Sequence, residues 1–193
     1  MAVSNRFAVG LDLSLTSSGI AAISLDDPTA MFTERVRSRG KKTDTLTDHL
    51  NRLDRTSARI SELVAACDPA VVVVETAYFS TENDSSAHRR AGLWWAVVGS
   101  IERSVPIIDV APAQLKKWLT GRGDATKDQM VGTVVNKWGR DVFAGEHNDD
   151  RADALAAASL GACILGVAVP HLDMTDYRKA VVETFRQRER LCP

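Results

Sequence analysis

The sequence predicts an α/β fold in which helices flank both faces of a mixed, five-stranded sheet. Three strand-like segments follow one another at the start, two later apolar strands alternate with helical patterns, and consecutive helical patterns close the chain. Of the 193 residues, 45% are hydrophobic and 25% charged, which is typical of a globular protein with a sizeable core. Disordered and fibrous classes are therefore excluded, and we expect one domain over residues 1–193.

The first three predicted strands form a meander. Residues 6–13 (RFAVGLDL) and 19–25 (GIAAISL) are apolar runs joined by the polar turn SLTSSG. Residues 30–38 partly alternate apolar and charged side chains, which indicates a third strand. No internal repeat or low-complexity linker interrupts the chain.

Helical and strand patterns alternate after the meander. The segment VVVVE at 71–75 is apolar until its last residue, which is typical of a central strand buried on both faces. A shorter strand is predicted at 106–110. Apolar residues at helical spacing predict helices at 44–66, 85–103, 112–120, 126–138 and 151–165, and a charged helix at 174–190 within a basic C-terminal tail of about 171–193.

Composition limits the functional classes. The formal net charge is −1, so a nucleic-acid surface must be a local patch. The three cysteines, Cys67, Cys163 and Cys192, are too widely spaced for a disulfide scaffold or a CxxC zinc site. No secretory signal is visible, and the uncharged run 154–169 is short for a bilayer span, so we expect a buried helix and a cytoplasmic protein.

Four acids interrupt apolar elements at their ends. Asp12 and Glu75 each end an apolar strand, and Asp150 and Asp153 share one helix face at i and i+3. Each acid alone could be a turn residue or a helix cap, but a cluster without a cation would repel itself and raise its pKa values. Together they predict a site for Mg²⁺ or Mn²⁺, and two such ions can promote phosphodiester hydrolysis.

Four sequence blocks carry a family resemblance over about residues 7–165. They are GLDLSLTSSG, VVVVETAYF with NDSSAHRRAG, VAPAQLKKWLTGRGDATKDQM, and DRADALAAA. In this order and at these spacings, they resemble the RuvC group of Holliday-junction resolvases, which have the ribonuclease H-like fold. A compact chain of this kind could be cellular or viral.

The resemblance implies a metal-dependent endonuclease that resolves four-way junctions by paired nicks, leaving 5′-phosphate and 3′-hydroxyl ends. It implies a homodimer joined through helix 85–103, with cleavage of other branched DNA and a branch-migration motor partner left open. The implied metal ligands, which would hold two Mg²⁺ ions replaceable by Mn²⁺, are Asp12, Glu75, Asp150 and Asp153.

The resemblance also implies roles outside the metal ligands. Lys116 and Lys127 match catalytic lysines near the scissile strand, and Tyr78 matches an aromatic residue that stacks at the junction centre. Each could instead be ordinary: the lysines solvated on helix faces, and Tyr78 a loop anchor.

Three departures from the family pattern are visible. Leu13-Ser14 stands where the family has Pro-Gly, and Thr76 replaces an amide. Asp149 could also share a face with Asp153, at i and i+4, although the match of DRADALA favours Asp150.

Basic residues gather in three stretches. The first is RVRSRGKK at 35–42, the second spans 103–127, and the third is the C-terminal tail. These stretches could bind phosphates or be ordinary solvated faces. The predicted DNA-binding residues are Tyr78, Lys116, Lys117, Arg122 and Lys127. The basic residues of the tail are Arg178, Lys179, Arg186, Arg188 and Arg190, and whether they bind phosphates or form a solvated face is left open.

Two other functions fit parts of the sequence. GLDLSLTSSG also resembles the first phosphate loop of actin-like ATPases and phosphotransferases, but those proteins need a second domain and a second phosphate loop. A non-catalytic DNA-binding or scaffolding module would not require the four acids.

Overall fold

The sheet of the computed structural model is mixed and five-stranded, as predicted, and the described residues are 6–77, 86–143 and 149–189. Its strand order is β3-β2-β1-β4-β5. The first three strands pair antiparallel, whereas β1, β4 and β5 run parallel. The strands are β1 (Phe7–Asp12), β2 (Ser17–Ser24), β3 (Met31–Arg37), β4 (Pro69–Glu75) and β5 (Ile107–Val110).

The helices lie close to their predicted positions. They are α1 (Leu46–Ala66), α2 (Ala87–Ile101), α3 (Pro112–Thr120), α4 (Lys127–Trp138), α5 (Asp149–Ile164) and α6 (Asp176–Glu189). A short 3₁₀ helix at Arg140–Val142 was not predicted. Side-chain caps fix two of the starts, because Thr45 and Thr126 each accept a hydrogen bond from the backbone N–H three residues later.

Two apolar layers pack on opposite faces of the sheet. Val72 and Val74 of β4 face the layer of α1 and α2, whereas Val71 and Val73 face the layer that contains α3, α4, α5 and α6. The prediction that β4 is central and buried on both faces is therefore confirmed.

Helix α5 lies against the sheet with little space between the two backbones. A Cβ atom at Gly10 of β1 would lie 1.9 Å from the carbonyl oxygen of Ala154. Alanine is the commonest residue of the helix, because larger side chains would not fit where the helix touches the strands, and the predicted buried helix is confirmed. Within the described residues, no helix has the length and apolarity to cross a bilayer. The cytoplasmic location stays a prediction.

Two arginines of the basic tail have structural roles. Arg178 is only 8% exposed and donates hydrogen bonds to the carbonyl groups of Trp118, Leu119 and Asp173. Arg186 donates to the carbonyls of Ile164 and Cys163. These guanidinium groups satisfy the C-terminal ends of α3 and α5. Buried Arg178 therefore fits neither alternative for the tail, a phosphate-binding patch or an ordinary solvated face, and the Arg186 guanidinium is already engaged by two carbonyl groups.

Candidate metal centre

Asp12 and Glu75 leave the sheet at the same edge. They end β1 and β4, which are parallel neighbours in register through Leu11 and Val74. The carboxyl ends of parallel strands meet at one edge of a sheet, so both side chains are carried to the same place.

Helix α5 brings the other two acids to this edge. Asp150 and Asp153 lie in its first turns and are each 9% exposed. The backbone of Asp150 lies against Gly19, the β2 residue paired with Asp12. The structure therefore brings the four predicted acids into one neighbourhood.

Burial and mutual repulsion raise the pKa values of this carboxylate cluster. Burial raises the pKa of Asp12 well above its usual range, and the charges of Glu75, Asp153 and Asp150 add to the shift. Burial, reinforced by the charge of Asp153, raises the pKa of Glu75 to about 7. Burial raises the pKa of Asp153 to about 6 and also raises that of Asp150. The cluster is thus unfavourable as four bare anions.

Two of the predicted lysines face the carboxylate cluster. The charges of Lys116 on α3 and Lys127 on α4 act to lower the pKa values of both Glu75 and Asp153. Their positive charges partly offset the repulsion among the acids.

Asp149 and Asp150 differ in their surroundings. The Lys127 Nζ lies 2.8 Å from Asp149 Oδ2, and this hydrogen bond lowers the pKa of Asp149. Asp150, in contrast, is more buried and its pKa is raised. Asp149 is therefore paired with a lysine, whereas burial disfavours the charged form of Asp150, and the charge of Asp150 in turn raises the pKa values of Asp12 and Asp153.

The donor set suits a hard divalent cation. Asp153 Oδ1 is buried and has no hydrogen-bond partner within the described residues, so it needs a cation or a water molecule. All four side chains offer carboxylate oxygens, the donors that Mg²⁺ and Mn²⁺ prefer. Among residues 6–77, 86–143 and 149–189, no three His, Cys, Asp or Glu side chains already enclose a metal position. The residues fit a cation that would draw the carboxylates together.

The remaining predicted DNA-binding residues lie elsewhere or outside the described part. The ammonium group of Lys117 lies 4.3 Å from the ring centroid of Tyr177 on α6. Arg122 makes an exposed ion pair with Asp124 in the turn between α3 and α4. Tyr78 lies outside the described residues, so its stacking role stays a prediction.

Two contacts beside the cluster were not predicted from the sequence. The Trp94 indole N–H donates to the Glu75 carbonyl at 3.0 Å, and so fixes the end of β4 from α2. The Thr76 hydroxyl donates to Asp109 Oδ2 at 3.2 Å. A half-buried tryptophan needs an acceptor for its N–H, but the sequence does not show which group supplies it.

Known proteins share this fold and sequence pattern. The family model described as "Crossover junction endodeoxyribonuclease RuvC" matches residues 8–160. A RuvC of Thermus thermophilus is 26% identical over 149 residues, covering 77% of this chain and 89% of that protein. A solved Thermus thermophilus RuvC structure, 26% identical, has a TM-score of 0.59 and covers 86% of this chain and 99% of that one.

A second solved structure shares the fold. It is T. thermophilus RuvC in complex with Holliday junction substrate, with a TM-score of 0.63 and 23% identity. The match covers 86% of this chain and 99% of that one.

Proposed function

The chain belongs to the crossover junction endodeoxyribonuclease RuvC family, and from that premise we propose that it resolves four-way DNA junctions by metal-dependent cleavage. The observation that carries this proposal is the partly buried carboxylate cluster of Asp12, Glu75, Asp150 and Asp153, whose raised pKa values call for a cation. The family match runs through the first loop and all four acids, so the actin-like alternative is set aside.

Two Mg²⁺ ions are the proposed cofactors, with Mn²⁺ as a substitute, and the four acids are their proposed ligands. When bound, such ions lower the pKa of a water molecule and stabilise the leaving oxygen of a phosphodiester. The Asp153 oxygen that lacks a hydrogen-bond partner within the described residues supports this assignment.

Lys116 and Lys127 would stabilise negative charge both on the substrate phosphate and on the acids of the carboxylate cluster. Both already offset the negative charge on Glu75 and Asp153. Negative charge develops on the phosphate during cleavage, and a fixed ammonium group nearby stabilises it. Lys127 would also orient the start of α5 through Asp149, 2.8 Å away.

A homodimer would place one site on each of two opposed strands. The two-fold axis of such a dimer suits the approximate symmetry of a four-way junction. Helix α2 exposes 65% of Trp95, a large apolar side chain that supports this helix as the contact surface. Paired nicks leaving 5′-phosphate and 3′-hydroxyl ends would follow.

The test compares synthetic junction, flap, Y-fork and duplex substrates in Mg²⁺ and in EDTA, with nick positions mapped. We expect paired nicks in opposed junction strands in Mg²⁺ and none in EDTA. Asp12→Asn and Glu75→Gln should bind the junction without cutting it, whereas Asp54→Asn, on the exposed face of α1, should cut normally. Normal cleavage by either site variant would show that the site assignment is wrong.

A further inference from the structure

A cross-strand row connects the carboxylate cluster to the edge of the sheet. Asp12 of β1 is paired with Gly19 of β2, and Gly19 is paired with Arg35 of β3. Residues directly opposite in antiparallel strands point to the same face. Gly19 faces the backbone of Asp150 on α5, so Arg35 lies on the α5 side, two strands or roughly 10 Å from Asp12.

Arg37 extends this arrangement along β3. It is paired with Ser17 and lies two residues from Arg35, so its side chain also leaves the sheet on the α5 side. The segment after β3 adds Arg39, which is exposed. Within the described ranges 6–77, 86–143 and 149–189, none of these three arginines makes an ion pair.

The three arginines line a groove that ends at the carboxylate cluster. Its volume is about 530 Å³, and we call it the β3 groove. The other lining residues are the hydroxyl-bearing Ser14, Thr16, Ser17 and Ser38, and at one end Lys127, Asp149 and Asp150. Guanidinium and hydroxyl groups are donors suited to phosphodiester oxygens, and the lining residues within the described part of the chain include no aromatic side chain on which a base could stack.

A second basic cavity continues the β3 groove around the β1–β2 turn. Ser14 and Thr16 line both cavities, and the second, of about 410 Å³, also contains Lys41 and Lys42. Arg52 of α1 holds the shared wall in place by donating hydrogen bonds to the Leu15 carbonyl and the Ser38 hydroxyl. The groove wall is therefore fixed before any ligand binds.

We propose that the β3 groove binds the phosphates of the cleaved DNA strand on one side of the scissile phosphate, with Arg35 and Arg37 as the main contacts. The inference rests on the proposed function, because it takes the carboxylate cluster as the cleavage site. Binding through phosphates fixes the register of the strand over the cluster and is independent of base sequence.

The test measures junction binding against salt concentration in the non-cleaving Asp12→Asn background. Arg35→Gln with Arg37→Gln should weaken binding at least tenfold and reduce the slope of log K against log salt by about 2, because two phosphate contacts are lost. Arg59→Gln is the matched control, since this exposed α1 residue pairs with Glu62 outside the groove. An unchanged slope and affinity in the double variant would overturn the proposal.

Neutral methylphosphonates, placed singly along the cleaved strand, locate the contacts. We expect methylphosphonates at a few consecutive positions on one side of the scissile phosphate to weaken binding to the protein that retains Arg35 and Arg37. The same substitutions should not weaken binding to the double variant any further. If methylphosphonates at these positions weaken binding to the double variant as much as to the protein with both arginines, the proposed role of the β3 groove is contradicted. If the double variant does not fold, the exposed Arg37→Gln change alone should give about half the slope change.

The proposed function and the groove fail in distinguishable ways. A wild-type protein that does not cut junctions in Mg²⁺ overturns the function, whereas a protein that cuts while the double variant binds like wild type overturns only the groove.

Discussion

Gly19 of β2 lies directly against the backbone of Asp150: a Cβ atom at position 19 would be 2.0 Å from the Asp150 carbonyl oxygen and 2.4 Å from its carbon. Gly19 is also the strand partner of Asp12. Because Gly19 has no side chain, the first turn of α5 can approach β1 and β2 closely. One glycine therefore controls the distance between two acids that are 138 positions apart in the chain.

Replacing Gly19 with alanine should increase the distances between the acids of the carboxylate cluster. The added Cβ must push the start of α5 outward, and Asp150 and Asp153 would move with it away from Asp12. Misplacement by about 1 Å costs about 100-fold in rate, so we expect at least that loss of junction cleavage. A fall in melting temperature should accompany it, consistent with about 1–3 kcal/mol of overpacking.

Gly132→Ala is the matched control for this experiment. A Cβ atom at Gly132 in α4 would meet no atom within 4 Å, so the change adds a methyl group without a clash. We expect unchanged cleavage and up to about 1 kcal/mol of added stability, because alanine favours the helix. Equal cleavage by Gly19→Ala and Gly132→Ala would show that close approach of α5 is not required.

Without divalent cations, the protein should lose stability as the pH rises from about 4 to about 7. The pKa of Glu75 is raised from 4.5 to about 7, so the folded state binds more protons than the unfolded state across this interval. The free energy of unfolding therefore falls with rising pH, by on the order of 3 kcal/mol for Glu75 alone. Mg²⁺ should restore it at neutral pH, because the cation binds the ionised acids of the folded state.

The measurement is urea unfolding between pH 4.5 and 7.5 in EDTA and in Mg²⁺, for wild type and Glu75→Gln. Distant groups titrate alike in both proteins, so the difference between the two proteins reports Glu75 together with its electrostatic coupling to Asp12 and Asp153. We expect a shallower fall with pH in EDTA for Glu75→Gln. Parallel curves would mean that Glu75 does not hold its proton in the folded protein.

Asp149 and Asp150 should respond differently to conversion to asparagine. Asp149 pairs with Lys127 at a partly solvated position, with side-chain exposures of 37% and 66%. Such pairs contribute about 0–1 kcal/mol to stability, and Asp149 is not a proposed metal ligand, so Asp149→Asn should retain cleavage within about fivefold. Asp150→Asn removes a proposed metal ligand and should lower the cleavage rate at least 100-fold. This corresponds to an activation free energy that is higher by about 2.7 kcal/mol or more. Single-turnover cleavage rates with bound junction distinguish them, and the reverse order would assign the ligand to Asp149.

Local patterns were sufficient to predict most elements of the fold. The segments VVVVE and RFAVGLDL could be recognised as strands because short apolar runs of this length and composition are typical of buried strands. The 3₁₀ helix at Arg140–Val142 was not, since three residues show no periodicity. Helix α5 was predicted to start at 151 but starts at Asp149, where Asp149 and Asp150 place negative charge at its N-terminus.

The candidate site was predictable in its acids but not in their partners. Asp12 and Glu75 were marked by their position at the ends of apolar strands. The ion pair between Lys127 and Asp149 depends on the distance in space between the first residues of α4 and α5, and this distance is set by tertiary packing. The structural role of Arg178 was missed for the same reason, because two of its three acceptors lie 59 and 60 positions away in the chain.

Arg178 joins α6 to α3, and its replacement should destabilise the fold. Its guanidinium donates to the carbonyls of Trp118 and Leu119 at 2.8 and 2.9 Å, and to that of Asp173. Arg178→Gln should leave buried acceptors without donors and lower the free energy of unfolding by about 3 kcal/mol. Lys179→Gln, at an exposed neighbouring position, should change stability little.

Cleavage provides the second readout for Arg178. This residue does not touch the carboxylate cluster, so folded Arg178→Gln should cut a junction within severalfold of the wild-type rate at a temperature below its melting point. Arg178→Lys should recover only part of the stability, because one ammonium group cannot match the forked geometry of the guanidinium. An unchanged melting temperature in Arg178→Gln would contradict the role of α6 in fixing α3. Since α6 lies beyond residue 160, where the family match ends, a large loss would show that this helix is required for the stability of the matched core.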